Sequence, residues 1–302
     1  MPENTELLDF AFPALEEDAS NMPVNDPFIR SILDDFRDWP YPVLKRHNDA
    51  KLLIHKLAFL AEAGFTVENE EIAEICRTVS ANRSEEGVIQ LMENIPKQFG
   101  GTGIDSYNWM LCDAPLLHYS LHRMGFDRSI LERGTEYLFS LGQSYGFPCA
   151  ASAEFKKFNG PGKRGTICPY GTLLMVRLYS LFPERHGDDS CRTAVEALLV
   201  QTENREKPYL FGTGNRFRKL KYPFIWYDIL HMAEVLSRFE RVRKDPRLKK
   251  LVDEIAKEAD SNGLYKAGSV WQAWKGIDAG QKKEPSFWVS RAVERILQRM
   301  GD

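Results

Sequence analysis

The 302-residue chain has no run of 18 consecutive apolar residues, so no segment is long and greasy enough to be read as a membrane-spanning helix. Neither sign of charge dominates. Forty Lys and Arg against 43 Asp and Glu leave a net charge of −3, which gives no electrostatic footprint for nucleic acid or an anionic membrane surface. Cysteine is sparse and odd in number, at 76, 112, 149, 168 and 191, without a CxxC pair. A disulfide framework and a zinc knuckle are therefore not expected, and the thiols read as free in a reducing compartment. No Lys or Arg precedes Arg30, so the chain opens without a secretory n-region, and the expected location is cytoplasmic. GxSxG, P-loop and dinucleotide-binding glycine signatures are missing, as is any alternating run of β-branched residues.

What is present is repetition. Residues 1–26 form an acidic arm with seven acids and three prolines, marked by Leu7, Leu8, Phe10 and Phe12, and residues 27–302 form one domain. A short amphipathic helix is predicted after Asp26-Pro27, through Phe28, Ile32, Leu33 and Phe36, and ends at Trp39-Pro40-Tyr41-Pro42. From residue 49 the chain repeats at a spacing of roughly 60 residues. DAKLLIHKLAFL from Asp49, DAPLLHYSLHRM from Asp113, YGTLLMVRLYSL from Tyr170 and DILHMAEVLSRF from Asp228 each carry Leu eight residues on, at Leu57, Leu121, Leu178 and Leu236. Each is followed by a more polar helical stretch, beginning near residues 69, 128, 189 and 246, and SFWVSRAVERILQRM is a truncated fifth copy. Gly87, Gly146 and Gly263 recur in the turns behind the second helices, where a left-handed backbone suits glycine. Apolar first helices and amphipathic second helices predict an all-α protein in two layers, first helices inside and second helices outside, of about 10–12 helices. The pairs are nearly enough to close a ring, and an open superhelix is the other arrangement.

These segments, above all CPYGTLLMVRLYSLFPE, KYPFIWYDILHMAEVL and EPSFWVSRAVERIL, resemble the α/α-toroid superfamily of terpenoid cyclases and protein prenyltransferases, in particular its small squalene-cyclase-like and prenyltransferase-like members. The resemblance covers about residues 45 to 299 and implies an α/α toroid around a central cavity holding an isoprenoid or other large apolar ligand. It also implies a cyclase or prenyl transferase, or a relative that only binds. The acidic DxDD run of protonating cyclases is absent, and Cys112-Asp113 reverse the Asp-x-Cys order with which protein prenyltransferases bind zinc. Magnesium or zinc is a candidate cofactor without a firm motif. Toroids of this kind also carry glycosidases and lyases, and helical repeats also serve as interaction surfaces, so both remain alternative readings.

Candidate residues follow from register. Asp49, Asp113 and Asp228 open equivalent helices, either as carboxylates around one end of the cavity or as helix caps, with Asp113 and Asp228 the stronger acid–base candidates. His231 lies one turn beyond Asp228 as a possible partner, and His118 and His122 share a helix face without the glutamate of an HExxH zinc motif. Tyr107, Trp109, Tyr170, Phe224, Trp226, Tyr227, Phe287 and Trp288 cluster at helix entries, either as an aromatic ligand wall or as packing between helix ends. Asp113, Tyr170, Trp226, Asp228, His231 and Trp288 are expected to share one space. Arg216, Arg218 and Lys221, with the Lys163-Arg164-Gly165 loop, are candidates for an anionic head group. Asp34, Asp35 and Asp38 spell DDxxD, a weak magnesium–diphosphate pattern that equally describes a solvated face. Cys168 precedes a proline at a helix start, where a thiol is either activated or simply packed.

Overall fold

A computed structural model describes residues 23–155, 166–203 and 216–301, without the side chains of Phe99 and Glu154. Residues 1–22 of the acidic arm and the Lys163-Arg164-Gly165 loop lie outside the described residues. Regular structure among the described residues is eleven α-helices and one two-stranded sheet.

Four helices are sheathed on all sides because their sequences are apolar around the whole circumference. They are α2 (Leu53–Glu62), α4 (Ala114–Arg123), α6 (Pro169–Tyr179) and α8 (Ile229–Ser237), and every residue of α6 and α8 is buried. Their polar partners are α3 (Glu70–Ser80), α5 (Arg128–Ser140), α7 (Asp189–Glu203) and α10 (Pro246–Ala256), which bury one stripe each, such as Leu248, Leu251, Val252 and Ile255. Asn69, Asp127 and Asp245 start α3, α5 and α10 by accepting backbone N–H groups on their side chains. The remaining helices are α1 (Pro27–Asp35), the single turn α9 (Glu240–Arg243) and α11 (Phe287–Gly301). Gly87, Gly146 and Gly263 do take positive φ, but each closes a four-residue turn several residues past its helix. Their N–H groups bond to Ser84, Gln143 and Asp260.

The inner helices pack in succession, α2 on α4, α4 on α6, α6 on α8 and α8 on α11. Trp288 of α11 then meets Phe59 of α2, with ring centroids 4.9 Å apart, so the last inner helix touches the first. Phe59, Tyr222, Trp274 and Trp288 pack together, Tyr222 stacked on Trp288 and the Phe59 ring edge-on or tilted against the other three, all under 9% exposed. Toward the C-terminal ends of the inner helices the interior is charged. Glu62 accepts from Arg177 at 2.8 Å, from Arg238 at 3.1 Å and from the Tyr119 hydroxyl, while Glu234 binds Arg238 at 2.7 Å and Arg299 at 3.2 Å. Arg177 also lies over the Tyr119 ring, 4.5 Å from its centroid. The expected aromatic-lined cavity is thus replaced along this stretch by rings packed on rings and by an ion-pair network. Rings and guanidinium groups gain more from direct contact than from facing a void.

The sheet was not expected, because its strands are three residues long, too short to show alternation. β1 (Leu91–Glu93) pairs antiparallel with β2 (Ser106–Asn108), and Leu44 adds a parallel bridge to Glu93. This pins the 44–47 segment beside the start of α4. No helix among the described residues is long and apolar enough to cross a membrane.

Candidate functional site

The three aspartates of the repeat register do different things. The Asp228 carboxylate turns back and accepts the His231 N–H at 2.9 Å, as a helix cap does. Asp49 accepts the Lys51 N–H at 3.1 Å and is exposed. Asp113 opens α4 without capping it. Its backbone, at φ −142° and ψ −51°, directs the carboxylate away from its own helix toward His47, whose Nδ1–H donates to Oδ2 at 2.8 Å. Asp113 is 1% exposed and its other oxygen has no protein partner. A carboxylate on Nδ1 fixes the tautomer and leaves Nε2 as the working nitrogen. His55 Nε2 holds the His47 carbonyl at 3.0 Å, so main chain and ring of His47 are both anchored.

Three thiols gather beside this pair. Cys168 caps α6, accepting the Gly171 N–H on its sulfur at 3.4 Å. Its Sγ lies 3.7 Å from the Cys112 Sγ, and the Cys149 thiol also donates to it. The backbone explains the meeting. Met110 bridges Ala151 in antiparallel register, which sets Cys112 opposite Cys149, and the Cys168 N–H bonds to Phe147 O at 2.7 Å. Gly171 permits the close approach, because a Cβ there would stand 3.3 Å from the Cys168 sulfur and 3.3 Å from Leu111 O. Hydrogen bonds from Cys112 and Cys149, together with Gly171 N–H and the His47 charge, hold the Cys168 thiol well below its ordinary range despite burial. Cys112 moves the opposite way, its proton retained for Cys168 and its charged form disfavoured by burial. His47 is raised: burial works against its imidazolium, but Asp113 and the Cys168 thiolate outweigh it. Glu93, fully buried with neither oxygen paired, is pushed well up by burial and then by Asp113, which favours its protonated form.

Of the other aromatic candidates, Tyr170 and Trp226 stack at 4.1 Å between centroids, Tyr227 lies 5.0 Å from Trp226, and both tyrosines feel the Cys168 charge. Asp113, Tyr170 and Tyr227 therefore lie near the thiols at the N-terminal end of the inner helices, with Trp226 packed against both tyrosines. The rest of the expected common space does not assemble there. Trp288 packs against Phe59 and Tyr222. Trp109 is buried edge-on against Tyr137 of α5. His231 donates to Trp226 O at 3.0 Å, stacks on Phe224 and lies beside Arg177, and burial lowers its pKa to about 3. His118 and His122 share Thr135 as partner instead of facing an open site.

The basic loop divides. Arg218 pairs with Glu254 of α10 and lines a surface groove of about 230 Å³ with Leu220, Ile229 and Lys257. Lys221 sits 4.0 Å over the Trp271 ring, and Arg216 is exposed near it. Of the DDxxD acids, Asp34 pairs with Arg30 and Arg37, and Asp35 pairs with Lys56. Among the described residues no group of three or more His, Cys, Asp or Glu side chains is arranged to hold a metal ion.

Sequence reasoning missed His47, Cys112, Cys149 and Glu93. Cys112 and Cys168 fall within one position of each other in the repeat register, a usable signal for two of them. His47 and Glu93 arrive through the three-residue strand, which leaves no periodic trace. No protein-family profile and no curated protein sequence matches this chain.

Proposed function

We propose that the chain is an α/α-toroid protein whose reacting group is the Cys168 thiolate, a nucleophile for an activated carbonyl, ester or thioester, carried by a large apolar compound. The carrying observation is the grouping of Asp113, His47 and Cys168, in which an imidazole anchored on a buried carboxylate lies close enough to a thiol at a helix start for their charges to interact. The closed succession of inner helices supports the toroid. In the reaction Cys168 sulfur adds to the carbonyl carbon, His47 gives its proton to the departing oxygen or sulfur, and a thioester remains on Cys168. His47 then takes a proton from water as it attacks, and the acid leaves. The isoprenoid-type ligand of the resemblance fits this scheme as the apolar part lying on Tyr170, Trp226 and Tyr227. It does not fit the axis near Arg177 and Glu62. The filled axis favours one further reading, a non-catalytic interaction scaffold.

Alkylation separates them. Iodoacetamide at pH 6.5 is expected to modify Cys168 at least tenfold faster than Cys112, and Asp113→Asn to slow that reaction while the fold persists by circular dichroism. Aryl esters of increasing chain length would then be hydrolysed by the protein and not by Cys168→Ser. A Cys168 that reacts only as an ordinary thiol of pKa about 8.5 would refute the enzyme and leave the scaffold.

A further inference from the structure

We infer that Cys168 and Cys112 form a hydroperoxide-reactive dithiol that closes to a disulfide and switches the site off; this rests on the reading of Cys168 as a nucleophile. Three observations carry it. The two sulfurs are already 3.7 Å apart, so side-chain rotation and a small backbone adjustment bring them to bonding distance of about 2.0 Å. Both residues are partly exposed, unlike Cys76 and Cys191, which lie in the core. And the neighbours are those the chemistry needs: an imidazole at His47, held on Asp113, whose charged form is favoured by Asp113 and Cys168, and a thiol at Cys112 that keeps its proton as the second reactant.

The steps balance. The Cys168 thiolate attacks the distal oxygen of a hydroperoxide, the O–O bond breaks, and His47 protonates the alkoxide or hydroxide that leaves. Cys168 becomes a sulfenic acid, oxidised by two electrons, and the peroxide becomes an alcohol or water. The Cys112 sulfur then attacks the sulfenic sulfur, its proton leaves with the hydroxyl as water, and the disulfide forms. An external dithiol returns both sulfurs to thiols. Cys149, although it also touches Cys168, is not the resolving partner. Cys112 follows the backbone pairing at Met110 and Leu111 and directly precedes Asp113, whose carboxylate holds His47, and this fixes its sulfur 3.7 Å from the reacting one.

The experiment is peptide mapping of the full chain under non-reducing conditions after reduction, desalting and a few equivalents of hydrogen peroxide. The expected product is a Cys112–Cys168 cross-link, formed within twofold of the wild-type rate in Cys149→Ser. Cys112→Ser should instead give a dimedone adduct on Cys168, and Cys168→Ser neither product, with circular dichroism confirming that each variant is folded. A Cys149–Cys168 link, or a Cys168 that resists peroxide in folded protein, overturns the inference. Fast iodoacetamide alkylation of Cys168 together with peroxide resistance removes this inference alone. Slow alkylation removes the proposed enzyme as well. Stoichiometric zinc in the purified protein, lost only with the thiols, would overturn both, because the sulfurs would then be ligands.

Discussion

Replacing Glu62 tests whether the interior is closed by charge. Glu62 stands at the end of α2, 5% exposed, and receives Arg177, Arg238 and the Tyr119 hydroxyl. Its pKa is held well below the ordinary range because the surrounding guanidinium groups outweigh its burial. Glu62→Ala removes a methylene stem and leaves Arg177, 1% exposed, facing a cavity without its anion. Breaking one partner of a buried pair costs about 3–5 kcal/mol, and this carboxylate has two cationic partners, so the upper part of that range applies. Glu62→Gln keeps the shape and one acceptor oxygen, and should cost about 2–3 kcal/mol, near the value of one charged hydrogen bond. The double variant Glu62→Leu with Arg177→Met exchanges ions for apolar groups of similar length and should recover most of the loss. Guanidinium unfolding at pH 7 measures all three. A cost below about 1 kcal/mol for Glu62→Ala would mean that water solvates this end and that the axis is open there. Failure of the double variant to recover stability would mean that the network fixes the helix arrangement as well as neutralising charge.

Two further outcomes concern titration. His118 accepts the Ile89 N–H on Nε2 at 3.2 Å and donates from Nδ1 to Thr135 at 2.9 Å, and burial lowers its pKa to about 3, so the folded protein excludes a proton that the unfolded chain takes up below about 6.5. Its stabilisation is present above that pH and is lost as the pH falls, so between pH 6 and 4 wild type should lose about 1.4 kcal/mol per pH unit more than His118→Gln, read by denaturant titration; equal slopes would refute the neutral burial. Asp228 behaves oppositely, since burial raises its pKa to about 7 and wild type should weaken as the pH rises from 4 to 8. Asp228→Asn, which keeps an acceptor for the His231 N–H, should gain up to about 4 kcal/mol on wild type over that interval and leave Cys168 alkylation unchanged, whereas slowed alkylation would return Asp228 to the site.

The helices were legible because their signal is periodic. Inner helices expected near residues 49, 113, 170 and 228 begin at Leu53, Ala114, Pro169 and Ile229, and the outer starts agree as closely. Register also placed Asp113, Tyr170 and Trp226 in one region, where Tyr170 packs on Trp226 and feels the Asp113 charge. It misled at Trp288 and His231, because register fixes the height of a Cα along a helix and leaves the side chain free to turn toward a neighbouring ring. It was silent about His47, whose position depends on one bridge between Leu44 and Glu93. Nor could it separate Asp113 from Asp228, since the choice between capping and turning away lies in one pair of backbone angles.

That choice is what makes one end of the molecule reactive. Capping spends a carboxylate on its own helix, and Asp228 is used up in this way, while Asp49 closes a turn ahead of α2 on the Lys51 N–H. Asp113 leaves the first N–H groups of α4 without its help and keeps one buried oxygen unpaired, both of which destabilise. Glu93 beside it adds a buried carboxyl with neither oxygen satisfied. At the other end of the same helices Glu62 and Glu234 are wrapped in arginines. A fold selected for stability alone would put the paired carboxylates at both ends. The imbalance is coherent if Asp113 serves His47, whose imidazolium needs a fixed counter-charge out of water and whose charge in turn favours the Cys168 thiolate. The well-paired end then supplies the rigidity that the strained end draws on, and loosening it through Glu62 should be felt at Cys168, although the two groups sit at opposite ends of the inner helices.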